Sequence, residues 1–512
     1  MTLSFVLQGL SALFTVQVLL AVIVGTALGL FIGAMPGLSA TMGIALLLPL
    51  TYQFEPATGL AMLTSLYMGA MYGGSISAIL INTPGTPSAA ATVIDGYPMA
   101  QRGESGKALG ISLTASLIGG VLSSIALLVF APVLGTVALE FGPVEMFAVA
   151  VLGITIIGSL AKGSTTLGLL SGMIGLMISL VGMDPITGTP RFTFGNINLF
   201  SGIPYTIALI GLFSIPQALK LVEQNLPKRE VKVSFTDRML PKFNEFLEIL
   251  PTTIRSSIIG IFVGIIPGAG GDTACWFAYN ETKRFSKHKE RFGTGYSLGI
   301  AAAESANNAV VGGALIPTIS LGVPGSSATA IIMGGLMVHG IMPGPTLMQD
   351  YPVLTYTLIW AVMFSNVAMF VLGLLVTKLA VNVTKISDRI IAPAIIVLCV
   401  IGSFSINNSL FDVGLMFIFG IIGYFMNKVN MPTSPMVIGM ILGSMLDTSL
   451  NQALIIGGGS YGVFFKSPLA TILLIISAIS ILQSTPIFDV IKSKFNKSAP
   501  AVVLNVEEGM DD

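Results

Sequence analysis

Apolar runs of about twenty residues, parted by short polar or basic connections, recur along the whole chain; a run of that length crosses a bilayer as a helix. Residues 2–10 read as a short interfacial piece. The stretch from about 14 to 50 is broken at Pro36-Gly37, and its arms are short for two full crossings, which predicts a re-entrant hairpin. A segment from about 57 to 97 crosses once in net terms, and spans follow at roughly 107–135, 143–160, 163–183 and 202–222. The second half opens with another hairpin over 250–280, broken at Pro267-Gly268 and too short between its basic flanks for two spans. The stretch 296–345 then crosses outward, and further spans lie at roughly 350–377, 390–406, 409–427, 433–455 and 467–487.

One apolar segment is interrupted by Asn82-Thr83-Pro84-Gly85-Thr86-Pro87-Ser88. Proline and glycine break helices, and lipid tolerates broken backbone only where it faces protein or lines a cavity. The stretch is therefore either a polar loop following a span or an unwound point within the membrane. A second break, Pro324-Gly325-Ser326-Ser327-Ala328-Thr329, favours the latter.

Composition agrees with a polytopic membrane protein: 53% of the 512 residues are hydrophobic, 9% are charged and mean hydropathy is +0.88. Soluble chains carry about 25% charge. Zero net charge gives no footing for nucleic-acid binding. Cys275, Cys399, His288 and His339 show no metal-ligand spacing. No Lys or Arg precedes Arg102, so the basic start of a cleaved signal is not seen and insertion through the chain's own spans is expected. Basic residues mark cytoplasmic loops. Of the 24 Lys and Arg, this layout puts only Arg191 and Lys466 outside, with Arg255 at the mouth of the second hairpin and the C-terminus in the cytoplasm.

The halves resemble each other. Gly29, Gly33, Pro36 and Gly37 match Gly260, Gly264, Pro267 and Gly268 at a constant offset. Gly73-Gly74 and Pro84-Gly85 match Gly312-Gly313 and Pro324-Gly325 with one residue inserted. Loops after matching segments carry opposite charge character, which predicts opposite faces and inverted repeats. The expected fold is all-α and polytopic, with two inverted-topology repeats carrying re-entrant hairpins and broken helices. Its parts are a first half over 1–222, a cytoplasmic linker over 223–245, a second half over 246–490 and a tail over 491–512.

Such interrupted segments in matching positions point to a transporter's midplane site. Helix starts offer N–H groups to an anion, while helix ends and hydroxyls offer oxygens to a cation. Candidate substrate or ion ligands are Pro36, Gly37, Ser39, Asn82, Thr83, Pro84, Gly85 and Thr86 from the first half, with Thr41 and Ser88 placed alike. Pro267, Gly268, Asp272, Pro324, Gly325, Ser326 and Ser327 are their counterparts in the second, with Thr273 and Thr329 nearby. Helix capping is the alternative role for the hydroxyls and for Asp272. Glu304, Asn307 and Asn308 share one helical face inside an apolar span, where acids are costly and usually functional; interhelical hydrogen bonding is the alternative. Asp447 is either an ion group or a paired structural one. Arg191 is a candidate partner or substrate contact, or a plain surface residue. Gly25, Gly29 and Gly33 suit helix packing.

Several longer segments are similar to the large membrane subunit of the tripartite tricarboxylate transporter family. They are Met35-Pro36-Gly37 with Leu46–Thr51, Met71–Ser75 through Asn82–Gly85 to Asp95-Gly96-Tyr97-Pro98, Asp184-Pro185 with Gly188 and Arg191–Gly195, Pro267-Gly268, Glu304–Ala309, and Pro324-Gly325. The resemblance implies a bacterial inner-membrane symporter for carboxylates. It would work with a small four-span membrane subunit and a periplasmic solute-binding protein, and be driven by a coupling cation, Na+ or H+. The chain departs from the family pattern at Leu38, where a second glycine is expected in many members, and between Thr448 and Gln452, which lack an expected arginine. A passive anion channel is the competing class. An intramembrane enzyme finds no support, since the chain has no Ser/His or HExxH arrangement and no recognisable membrane-embedded Asp pair.

Overall fold

A computed structural model describes residues 2–35, 38–160, 165–224, 238–383 and 388–483. Pro36, Gly37, most of the central linker and the tail lie outside the described residues. Among the described residues nineteen α-helices follow in order: α1 (Thr2–Leu13), α2 (Val16–Ala34), α3 (Ala40–Thr51), α4 (Pro56–Ile81), α5 (Ala90–Gln101), α6 (Ser105–Ala138), α7 (Pro143–Leu160), α8 (Thr165–Ser179), α9 (Tyr205–Gln224), α10 (Phe243–Ile265), α11 (Gly270–Phe285), α12 (Ser297–Leu321), α13 (Ser327–Val338), α14 (Leu347–Asp350), α15 (Pro352–Val383), α16 (Asp388–Asn407), α17 (Leu410–Lys428), α18 (Thr433–Ile456) and α19 (Pro468–Gln483). The described strands are one short antiparallel pair, Gly182–Met183 with Pro190–Arg191. Among the described residues, α2, α4, α6, α9, α10, α15 and α17 are long and apolar enough to cross a membrane. The chain is a multi-pass, all-α membrane protein.

Each predicted hairpin has one long arm and one short one. The 19 residues of α2 extend about 28 Å, whereas the 12 of α3 reach about 18 Å. The long arms α2 and α10 pack on the broken helices α4 and α12 respectively. Contact comes through small residues that let backbones approach. A Cβ on Gly29 would fall 2.3 Å from the Leu66 carbonyl oxygen, and one on Gly33 2.3 Å from that of Ala70. On the other side, a Cβ on Gly260 would meet the Ala306 carbonyl at 2.6 Å and one on Gly264 that of Val310 at 2.8 Å. These partners pair residues 231 apart on the hairpins and 240 apart on the broken helices. Gly73 contacts Leu30 and Gly33 as Gly313 contacts Ile261 and Gly264. The contacts thus align Gly73 with Gly313 rather than Gly312, and the inserted residue expected from the sequence is not needed.

Both broken helices are buried along nearly their whole length. On α6 a run of apolar side chains, among them Val129, Phe130, Val133 and Val137, stays exposed, as a lipid-facing surface requires. The broken helices also end alike: α4 stops at Asn82 (φ 57°) and α12 at Gly322 (φ 69°), both left-handed. Asparagine and glycine are the residues that tolerate this cap. Asn82 therefore terminates its helix through its backbone conformation.

Candidate functional site

After each cap the chain runs through Pro84-Gly85 or Pro324-Gly325 and starts a new helix. Gly85 N–H donates to the Gly74 carbonyl at 3.1 Å, and Gly268 N–H donates to the Gly325 carbonyl at 3.0 Å, which ties the second hairpin tip to the second break. A side chain at Gly85 would strike the Gly33 carbonyl. Pro84, Gly85, Pro324 and Gly325 shape the breaks without lining the cavity described next, whereas Gly268 also reaches its wall.

Between the breaks and the hairpin tips lies a cavity of about 290 Å³, the size of a small organic solute. Its wall combines Ser39, Ala40 and Thr41 at the start of α3, Thr86–Ser88 before α5, Gly268–Thr273 at the start of α11, and Ser326–Ala328 at the start of α13. Tyr67 and Met71 of α4, Phe213 of α9, and Pro432, Ser434, Pro435 and Ile438 around the start of α18 complete it.

Four helix starts, those of α3, α11, α13 and α18, therefore face one space. Their first N–H groups have no partner within the helix and carry the positive end of its dipole. Two are capped: Ser39 Oγ accepts from Met42 N at 3.1 Å, and Ser326 Oγ accepts from Thr329 N at 3.2 Å. Tyr67 Oη lies 3.3 Å from Ser326 Oγ, and Ser327 donates to Ser434 at 2.6 Å. Thr86 and Ser88 hydroxyls are 3.1 Å apart. Among the described residues lining the cavity, none is basic and Asp272 is the single acid. The arrangement offers backbone N–H and hydroxyl donors to an anion, with a carboxylate at its edge.

Of the candidates read from sequence, the cavity gathers Ser39, Thr41, Thr86, Ser88, Gly268, Asp272, Thr273, Ser326 and Ser327. Asn82, Thr83, Pro84, Gly85, Pro267, Pro324 and Gly325 stand outside its lining. Thr83 is exposed, its hydroxyl bonded to the Ile81 carbonyl at 3.3 Å. Glu304, Asn307 and Asn308 are fully buried. Ser75 donates to Glu304 Oε1 at 2.6 Å, Thr92 donates to the same oxygen, and Ser116 donates to Oε2 at 3.2 Å. Asn307 Nδ2 donates to the Met71 carbonyl at 2.9 Å; Asn308 Nδ2 sits between the sulfurs of Met68 and Met369.

Arg191 pairs with both Asp184 and Asp447, the latter at 3.1 Å. Its charge is spent inside the protein, and Asp447 is tied to a base rather than left for an ion. Asp184 also accepts from the backbone of Ile186 at 2.8 Å and Thr187 at 3.1 Å; these bonds first, then Arg191, hold its carboxyl down at about 2. Tyr67, Phe213 and Ser434 sit on or beside helices that read as ordinary spans, and no sequence signal marks them. Asp95 is marked only by the Asp95-Gly96-Tyr97-Pro98 segment. That carboxylate accepts from the backbone of Gly293, Gly295 and Tyr296 and from Tyr279 Oη, all within 2.8–2.9 Å. It clamps the loop before α12 to the first half.

The family model of the tripartite tricarboxylate transporter TctA family matches residues 19–438, a range that contains the whole cavity. The chain is 39% identical over 451 residues to an uncharacterized 52.8 kDa protein in the TAR-I ttuC' 3' region of Agrobacterium vitis, covering 88% of this chain and 90% of the relative. It is 36% identical over 215 residues to an uncharacterized protein in the TAR-II ttuC' 3' region of the same organism, covering 42% of this chain and 89% of that relative. The chain belongs to the tripartite tricarboxylate transporter TctA family, and is a transporter component rather than an enzyme.

Proposed function

We propose that the chain is the carrier subunit of a carboxylate importer, binding its substrate in the cavity between the hairpin tips and the two breaks. The observation that carries this reading is the convergence of four helix starts, drawn from both halves, on a cavity with hydroxyls and no base among its described lining residues. N–H groups and hydroxyls hold a carboxylate without the tight fork of an arginine, which suits a solute that must leave again. Asp272 opposes a multiply charged anion, so a coupling cation, Na+ or H+, enters with it. The paired contacts at fixed offsets support two repeats of inverted topology, which would work by alternating access. A passive anion channel is the rival. It would need a continuous path, whereas the cavity is walled by helix starts from both halves.

In this reading the chain lies in the bacterial inner membrane with its C-terminus in the cytoplasm. It acts with a small four-span membrane subunit, and a periplasmic solute-binding protein delivers the carboxylate. The outer loop that holds Arg191 also carries Phe194 and Ile197, which are among the most exposed apolar side chains; these, rather than the neutralised Arg191, are available to such a partner.

The test compares Ser326→Ala and Ser39→Ala with Thr83→Ala in uptake of tricarboxylate by cells making the complete transporter. The two cavity variants should lose uptake tenfold or more at equal membrane abundance, with Thr83→Ala near wild type. The reverse pattern would move the site to the exposed face of the first break.

A further inference from the structure

Glu304 sits one turn behind the cavity wall. Ser88 lines the cavity and precedes Thr92 by one turn, while Met71 lines it and precedes Ser75 by one turn. Thr92 and Ser75 are the hydroxyls bonded to Glu304 Oε1. Asn307, one turn from Glu304 on α12, bridges the same gap. Its Oδ1 is buried and accepts no hydrogen bond within the protein. A Cβ built on the cavity residue Gly271 would lie 3.4 Å from that oxygen and 3.1 Å from Ser88 Cβ. Polar side chains of α5, α4 and α12 thus lie, one turn apart on each helix, between the cavity and Glu304.

The two buried acids of this region have opposite surroundings. Asp95 Oδ1 meets three backbone N–H groups, which can only donate. Glu304 meets hydroxyls alone, and a hydroxyl donates to a carboxylate or accepts from a carboxylic acid equally well. Its shell fits both protonation states. Among the described residues Glu304 has no basic partner. Arg255 of α10 bonds Thr282 at 3.1 Å, and Lys107 of α6 pairs with Glu245 at 2.7 Å. The other titratable groups on elements packed against α12 are Tyr67 and Tyr72 of α4, Asp95 and Tyr97 of α5, Glu248 of α10, Asp272, Cys275, Tyr279, Glu281, Lys283 and Arg284 of α11, and Asp350 of α14. A metal cation fits less well, because it would have to enter between oxygens already in direct hydrogen-bond contact.

We propose that Glu304 is the coupling group of the carrier, a carboxylate that takes a proton from the cavity by way of Ser88 and Asn307 and releases it again in each cycle. The step only transfers a proton: the carboxylate becomes a carboxylic acid, and the one hydroxyl facing the new O–H turns from donor to acceptor while the others go on donating. The proposal rests on the transport reading above and specifies its ion.

Infrared difference spectra of the full chain in lipid vesicles, stepped from acid to alkaline pH, test it without any substrate. Wild type should lose a protonated-carboxyl C=O band that Glu304→Gln never shows, at the same midpoint in sodium and in potassium buffer. Ser116→Ala, which keeps Glu304, should move that midpoint and serves if the glutamine variant does not fold. A band that persists at every pH, one that vanishes on adding sodium at fixed pH, or an identical titration in Glu304→Gln overturns the proposal. Coupling is read in proteoliposomes that also hold the small membrane subunit, with citrate as probe. Glu304→Gln should retain counterflow yet lose accumulation driven by an inside-alkaline gradient at least tenfold; undiminished accumulation overturns the proposal. Counterflow missing from wild type would instead strike the transport reading and leave the infrared result standing.

Discussion

Gly85→Ala and Gly325→Ala are the same substitution at matching positions of the two breaks, and the structure assigns them different costs. At Gly325 the new methyl would lie 2.7 Å from Ala314 Cα and 2.8 Å from the carbonyl oxygens of Ala314 and Gly264. Bringing these three backbone atoms to ordinary contact near 3.4 Å needs a shift of about 0.6–0.7 Å. At Gly85 the methyl would lie 1.8 Å from the Gly33 carbonyl oxygen, with Ser77 Oγ at 2.8 Å. Relief there needs a backbone displacement of over an ångström, between α2 and the break, where the Gly85–Gly74 hydrogen bond also stands. Overpacking costs about 1–3 kcal/mol and occasionally more, so Gly325→Ala belongs in the lower part of that range and Gly85→Ala above its top. A gap of about 2 kcal/mol is some thirtyfold in an equilibrium constant. Melting midpoints of the purified variants in one detergent, with the monodisperse fraction after extraction, give the order directly. Equal midpoints, or Gly325→Ala melting first, would refute the packing argument at the first break.

Three further outcomes follow from the same geometry. A cysteine at Glu55 should label only from outside the cell and one at Lys287 only from inside, and labelling of both from one side would sink the inversion; native Cys275 and Cys399 are buried. Arg191→Ala leaves Asp184 and Asp447 facing each other without their shared base, so the 182–202 loop should be digested faster by protease while cavity binding is kept; unchanged digestion would show the triad idle. Because the folded-state carboxyl of Asp184 is depressed from 3.8 to about 2, its contribution to holding that loop is present above 3.8 and is lost as pH falls toward 2. Pepsin should therefore leave the loop largely intact near pH 4 and cut it near pH 2, and equal cutting at both would contradict the assignment.

Much of the architecture was legible because the signals were local. Gly29, Gly33, Gly260 and Gly264 announce close helix contact by spacing alone, and the contacts found are backbone against backbone. The Pro-Gly pairs mark both breaks because no span continues through them. Direction within a break was not legible. Asn82 turns the chain through a left-handed residue, which sends Thr83 outward and brings Thr86 to the cavity, and a run of polar residues carries no record of that turn. Tyr67, Phe213 and Ser434 escaped notice because each lies on or beside a stretch that reads as ordinary membrane helix. Arg191 and Asp447 are 256 residues apart, so only the fold reveals that each cancels the other. Glu304 was conspicuous as an intramembrane acid, but its distance from the cavity, one turn, depended on how α4, α5 and α12 pack.

The most direct test of the central claim is counterflow. Proteoliposomes holding this chain and the small membrane subunit are loaded with unlabelled tricarboxylate and diluted into a trace of labelled substrate delivered by the binding protein. A carrier with one site exposed to alternate sides produces a transient overshoot of label inside, abolished by Ser326→Ala. Simple equilibration of label with no overshoot, at a rate untouched by that variant, would mean a passive pore and contradict the account.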